Sequence, residues 1–254
     1  MRALILSDIH ANLDALNAVL DAAPAHDVVW NLGDVVGYGA MPNEVIERVR
    51  GLGKIFVRGN HDRACSGQIS SEQFNPIAAR AVQWTQHTLT PEHLAWLRTM
   101  VRGPVVPPGS PTGSEVSCMH GSYLDEDQYV FCAEDAWLPL RESRTRINFF
   151  GHTHLQGGFA ANSEEWFNLD PIYAKNGERE SSDLVLRSGA RYLINPGSVG
   201  QPRDGDWRAA FALFDDQRKM VEFHRVPYDF RAAQQRIVDA GLPDRLATRL
   251  GNGY

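Results

Sequence analysis

Hydrophobic residues come in short runs at the start of the chain, each followed by polar residues and then by a stretch with helical spacing. Residues 2–6 read as a buried strand; Asn12 then stands as an N-cap before Leu13, Leu16, Val19 and Leu20, which recur at the helical period. The step repeats, with a strand over residues 27–32, a helix over 43–50 and a strand over 54–58. Strands that alternate with helices imply an α/β layered fold. From 63 to 102 the spacing is helical. Asn75-Pro76 and Thr90-Pro91 each set an N-cap before a proline, whose missing N–H is harmless at the first helical position, so two helices are predicted there. The Pro- and Gly-rich stretch 103–113 reads as a loop leading into a strand over 115–119, followed by a helix over 133–143 and a strand over 146–150. Beyond Leu155 apolar stretches near 158–161, 184–186, 192–194, 209–214 and 221–226 are separated by turn residues, which predicts antiparallel strands; helices close the pattern over 230–240 and 243–250.

Composition changes this picture little. Hydrophobic and charged fractions of 43% and 22% are ordinary for a globular chain. No linker interrupts the pattern, so residues 1–254 read as a single domain with a helical insert, or cap, over about 64–103. A net charge of −6 argues against general nucleic-acid binding and against a membrane surface, both of which need surplus Lys and Arg. Cys65, Cys118 and Cys132 give neither a disulfide framework nor a zinc-knuckle spacing, and read as small buried hydrophobes. The run Ala3-Leu4-Ile5-Leu6 is too short for a signal-peptide core. A reducing, cytoplasmic setting is expected; the oligomeric state is left open.

The chemistry lies where apolar strands run into polar residues able to bind metal: Leu6 into Asp8 and His10, Leu32 into Asp34, Val57 into Asn60, Met119 into His120, and Phe150 into His152 and His154. In an α/β sheet the loops beyond the carboxyl ends of strands lie along one edge, so five strand ends can supply one site. Residues two apart in an extended segment face the same side, which would let Asp8 converge with His10 and His152 with His154. Imidazole, carboxylate and amide oxygen without thiolate suit manganese first, and iron, zinc or nickel. Seven candidate ligands exceed the needs of one tetrahedral ion, so two divalent ions are expected.

The blocks Asp8-Ile9-His10, Gly33-Asp34-Val35-Val36-Gly37, Gly59-Asn60-His61-Asp62, His120-Gly121 and Gly151-His152-Thr153-His154, in that order, resemble the calcineurin-like metallophosphoesterase superfamily. Asn195-Pro196-Gly197-Ser198 and Pro202-Arg203-Asp204-Gly205 resemble the later strand and turn of its small prokaryotic phosphodiesterase-like branch. The resemblance implies a four-layer α/β/β/α sandwich of two mixed sheets with flanking helices. It implies that Asp8, His10, Asp34 and His154 bind one ion, that Asp34, Asn60, His120 and His152 bind the other, and that His61 protonates the leaving oxygen with Asp62 fixing its tautomer. A metal-bridging hydroxide would then attack the phosphorus of a small phosphate ester, a phosphodiester or nucleotide first, without a protein nucleophile. Arg203 is a candidate for a forked contact to substrate phosphate.

Two other readings stand beside this one. Protein phosphatases and dinucleoside polyphosphate hydrolases carry Gly-Asp-x-Val-Asp-Arg-Gly and Gly-Asn-His-Glu, from which Gly37-Tyr38 and Asp62 depart; the change removes an arginine that would hold phosphate. A non-enzymatic protein-binding scaffold of the same fold has its acid histidine replaced, whereas His61 is retained here.

Overall fold

The computed structural model describes residues 1–53, 55–107, 115–174 and 177–254. The chain opens with β1 (Arg2–Leu6), α1 (Leu13–Ala22), β2 (Val28–Asn31), α2 (Pro42–Arg50), β3 (Ile55–Phe56) and the short α3 (Asn60–Cys65), then gives α4 (Pro76–Thr88) and α5 (Pro91–Leu97). β4 (Val116–Cys118), α6 (Ala133–Glu142) and β5 (Ile147–Phe149) follow. The β-rich part holds β6 (Gly157–Ala161), β7 (Trp166–Leu169), β8 (Glu180–Val185), β9 (Arg191–Asn195), β10 (Ala209–Asp215) and β11 (Met220–Val226), and α7 (Phe230–Asp239) and α8 (Asp244–Thr248) come last. The capping residues act as their sequence suggests: Asn12, Asn75 and Thr90 accept N–H groups of the first turns of α1, α4 and α5.

One sheet has the order β3-β2-β1-β10-β11-β8, parallel through β1 and antiparallel beyond it; the other has the order β4-β5-β9-β6-β7, with β4, β5 and β9 parallel. Alternation along β1 shows how the layers form. Leu4 and Leu6 join a core shared with Val19 of α1, Val45 of α2, Val82 of α4 and Ile237 of α7, while Ala3 and Ile5 join Phe149, Ile194 and Phe214 between the sheets. On the far side Phe150 and Leu193 pack against Ala136 and Leu140 of α6. Helices, sheet, sheet and helix make the four-layer α/β/β/α sandwich.

The structure departs from the sequence pattern at three places. α3 begins at Asn60, where the pattern gives only a polar turn; β7 occupies a stretch read as irregular; and β8 starts at Glu180 rather than 184, as an edge strand of alternately half-buried and exposed residues. Lys54, the start of the third predicted strand, and residues 108–113 of the predicted loop lie outside the described residues. α4 and α5 pack into the outer helical layer through Ala81, Val82 and Leu97.

Candidate metal centre

Asp8 and His10 follow β1, Asp34 follows β2 and Asn60 follows β3; His120 follows β4, and His152 and His154 follow β5. Both sheets therefore contribute. Backbone hydrogen bonds tie the loops together: the Asp8 N–H donates to the Gly33 carbonyl (3.0 Å), His10 N–H to the Asp34 carbonyl (2.9 Å), and Gly151 N–H to the His120 carbonyl (2.8 Å). Asp8, His10, Asp34 and His154 bring one ligand atom each to within 4.8 Å of one another, and so do Asp34, His120 and His152. Asn60 adjoins the second group, with Oδ1 3.3 Å from His120 Nε2. All seven predicted ligands come together, and Asp34 belongs to both groups.

The backbone that does this is not extended. Asp8, His10, Asp34, His152 and His154 have φ between 49° and 68°, a left-handed conformation that costs a residue with a Cβ about 1–2 kcal/mol. The extended-segment expectation is corrected accordingly: His154 turns to Asp8 and His10, while His152 turns to His120. Glycine lets the loops approach closely. A Cβ on Gly59 would lie 2.0 Å from Asp34 Oδ1, and one on Gly151 2.0 Å from Ser7 Oγ.

Each histidine is oriented through its other ring nitrogen. Nδ1 of His10, His120 and His154 donates to the carbonyls of Val36 (3.1 Å), Leu32 (2.9 Å) and Gln201 (2.6 Å), and Nε2 of His152 donates to that of Asp127 (3.1 Å). A carbonyl only accepts, so these contacts fix the tautomers and turn the remaining nitrogens inward. The carboxylates are divided in the same way. Asp8 Oδ2 accepts from Ser7 Oγ (2.6 Å) and His152 N–H (3.1 Å), whereas Oδ1 is buried without a hydrogen-bond partner, 3.3 Å from His154 Nε2. Asp34 Oδ1 accepts from His61 N–H (2.9 Å), and Oδ2 faces His120 Nε2 (3.4 Å) and His10 Nε2 (3.6 Å).

Burial alone would raise both carboxyls, but His154 and His120 around Asp8, and His120 and His61 around Asp34, outweigh it and hold both below the usual carboxylate range. Burial lowers His10 and His154, takes His152 down to about 3 and His61 to about 4; at His120 Asp34 overcomes burial and raises the ring to about 10. The Nε2 lone pairs of His10 and His154 face each other at 3.1 Å, an arrangement that repels unless a cation lies between them, while Nε2 of His120, protonated beside Asp34, donates to Nδ1 of His152 at 3.1 Å. The inward lone pairs, the orphaned Asp8 oxygen and the thiolate-free donor set fit divalent ions.

The other predicted site residues lie around this cluster. The His61 ring lies tilted against Tyr38 (4.3 Å between centroids) and edge-on to His10 and Phe74 (both 5.0 Å), and its Nδ1 is buried without a partner. Asp62 does not hold that ring as expected. Its carboxylate accepts the backbone N–H groups of Asp34 (2.8 Å), Val35 (2.9 Å), Val36 (3.2 Å) and Gly59 (3.0 Å), because the first turn of α3 points it under the β2 loop. Asp62 is a positioning residue for Asp34. Arg203 N–H donates to the His154 carbonyl (3.2 Å), and its guanidinium carbon lies 5.7 Å from the centroid of the Tyr38 ring.

A profile of calcineurin-like phosphoesterases matches residues 1–195. The chain belongs to that family. A metallophosphoesterase of Sphaerobacter thermophilus is 40% identical and superposes with a TM-score of 0.83 over 100% of this chain and 99% of that one. An uncharacterized protein of Methanocaldococcus jannaschii is 35% identical over 248 residues, 97% of this chain and 96% of that protein. A symmetrical bis(5'-nucleosyl)-tetraphosphatase of Yersinia enterocolitica is 40% identical over 67 residues, 24% of this chain and 23% of its own. The family is one of metal-dependent phosphoesterases, and this chain carries buried Asp and His groups that could hold divalent ions; no helix among the described residues is long and apolar enough to cross a membrane.

Sequence reasoning passed over several residues that shape the site in this phosphoesterase. Tyr129 stacks on His152 (3.8 Å between centroids), and Tyr38 lies between His10 and Arg203. No sequence signal marks Tyr129; Tyr38 was signalled only as the residue standing where related enzymes have arginine. Ser198 Oγ donates to the Asp8 carbonyl (2.7 Å) and Asn195 Nδ2 to that of Gly151 (2.9 Å), which gives the late Asn-Pro-Gly-Ser block a structural role. Phe74 reaches His61, Trp137 is half-exposed, and Cys132 is exposed, unlike buried Cys65 and Cys118.

Proposed function

We propose that this phosphoesterase hydrolyses phosphodiesters with two divalent ions, manganese first, one held by Asp8, His10, Asp34 and His154 and the other by Asp34, Asn60, His120 and His152. The observation that carries this reading is the single Asp34 carboxylate common to both ligand groups. When bound, the ions would supply Lewis acidity toward the phosphate and an activated water. Two divalent ions against two carboxylates leave a local charge of about +2, which attracts phosphate although the chain as a whole is acidic. His61 N–H fixes Asp34 Oδ1, and the His61 ring lines a cleft of about 230 Å³ with Asn60, Phe74, Tyr129 and His152. Burial lowers the proton affinity of His61; the negative charge of a bound phosphate ester would raise it again, so that the ring takes a proton from solvent and passes it to the leaving oxygen. Beyond Tyr38 the cleft meets a second one of about 420 Å³, which leaves room for a group on each side of the phosphorus.

The test is hydrolysis of bis(p-nitrophenyl) phosphate titrated with manganese, beside a dinucleotide. Loss of a general acid matters most for a leaving group that needs a proton. His61→Ala should therefore lower kcat by about 10²–10⁴-fold on the dinucleotide and much less on the nitrophenyl ester. Equal losses on both would remove His61 from that role, and no turnover with any divalent metal would favour the scaffold reading. Cleavage of dinucleoside polyphosphates is a second reading, supported by the partial likeness to the tetraphosphatase.

A further inference from the structure

The second cleft is lined on one side by Asn75, Pro76 and Ile77 and on the other by Arg245, Leu246 and Arg249. Tyr38 and Asn75 also line the cleft over the metal centre, so the two spaces share a wall. The Arg203 guanidinium lies over the Tyr38 ring, 5.7 Å from its centroid. Three cations thus gather around one tyrosine, and among the described residues none of them pairs with a side-chain carboxylate. Arg203 Nη2 donates to the amide oxygen of Gln201 (3.0 Å) while its Nε is buried without a partner, and Arg249 Nε donates to the backbone oxygen of Tyr254 (2.5 Å).

Two fully buried guanidiniums are handled differently. Arg208 is held by Asp206 and Glu180, and Arg225 by Asp204. Those two are neutralised by side-chain carboxylates; among the described residues Arg203, Arg245 and Arg249 are not. Burial, with Arg203 next in weight, lowers Arg249 to about 10, the direction expected of crowded cations that lack an anion. Guanidiniums in this state are suited to forked hydrogen bonds with phosphate oxygens.

We propose that Arg203, Arg245 and Arg249 form a subsite for a second phosphoryl group of the substrate, so that the preferred substrate carries one phosphate at the metal centre and another beside Tyr38. This rests on the phosphoesterase reading above and narrows it to esters bearing a further phosphate. It also gives a reason for tyrosine in the Gly37-Tyr38 turn: the arginine missing there is replaced by guanidiniums from the 203 loop and from the last helical turns.

Two measurements separate this inference from the reading beneath it. In the first, the kcat/KM of a 5′-phosphorylated adenylate dinucleotide is compared with that of the same dinucleotide lacking the 5′-phosphate. The phosphorylated form is expected to be better by about tenfold or more, the scale of one charge-assisted contact, and Arg249→Gln and the exposed-site variant Arg245→Gln should each bring the ratio toward one. A ratio near one in the wild-type protein overturns the subsite. In the second, inorganic pyrophosphate is titrated calorimetrically into metal-free protein, where catalysis plays no part. Binding weakened about tenfold by either variant supports the subsite; equal binding by wild type and both variants overturns it. If neither dinucleotide is hydrolysed, the hydrolytic reading fails and the calorimetric result alone decides on the anion site.

Discussion

Each of the four backbone N–H groups that Asp62 accepts, from Asp34, Val35, Val36 and Gly59, sits in a buried turn and would be left without a partner by a shorter side chain. A buried unpaired donor costs about 1–3 kcal/mol, and water entering the gap recovers part of that. Asp62→Ala should therefore lose about 3 kcal/mol in urea denaturation carried out in chelator, where bound metal contributes nothing; a loss under 0.5 kcal/mol, roughly a neutral surface change, would contradict the positioning role. His224 makes a different prediction. It stacks on Phe211 at 4.6 Å with both ring nitrogens lacking hydrogen-bond partners, and burial, helped by Arg179 and Arg2, lowers it from 6.5 to about 4. Because the folded value lies below the unfolded one, the unfolded chain binds a proton first as pH falls. Stability attributable to the neutral ring is present above 6.5, is lost between 6.5 and about 4, and changes no further below that. Between pH 7 and 5 the wild-type protein should lose about 2 kcal/mol more than His224→Phe, which keeps the stacking. Parallel pH profiles for the two proteins would exclude this account.

At the scale of elements, the site depends on loops pressed together at glycines. Alanine at Gly59 would drive Cβ into Asp34, and at Gly151 into Ser7, whereas at Gly51, at the end of α2, the nearest atom is 3.9 Å away. Gly59→Ala and Gly151→Ala should weaken manganese binding about 10–100-fold, the range found when the groups that orient metal ligands are disturbed, with Gly51→Ala as the unaffected control in the same calorimetric titration. How far such features can be read from sequence depends on where their determinants lie. α4 and α5 were legible because Asn75-Pro76 and Thr90-Pro91 carry their own start signals. α3 was not, because its six residues are held by Asp62 beneath a distant loop rather than by periodicity. β8 hides its first residues, Glu180 to Asp183, because an edge strand open to solvent does not need apolar alternation. The same holds for the site. Ligand identity was visible in the runs that end at Asp8, Asp34, His120 and His152, but the left-handed turns that divide His152 from His154 arise from loop packing that no local pattern encodes.

For the whole molecule, the two groups of ligands join sheets that also meet through the apolar layer between them. Asp8, His10, Asp34 and Asn60 extend from one sheet, and His120, His152 and His154 from the other. Ions bound between them should cross-link the sandwich. At a concentration one hundred times its dissociation constant, a ligand of the folded state alone adds about 2.7 kcal/mol, which for a chain of this size raises Tm by about 5–10 °C. Differential scanning calorimetry with manganese and with chelator should show that separation, and coincident transitions would mean that no ion is held here. The topology has a temporal side as well. β1 pairs with β2 on one edge and with β10 on the other, Arg2 opposite Asp215. During synthesis the aspartates leave the ribosome long before His120, His152 and His154, and β1 waits for its second neighbour until residues 209–215 have emerged. A nascent chain can offer a passing ion no more than a fragment of the cage, so loading belongs to the end of folding and is governed by the metals the finished protein meets.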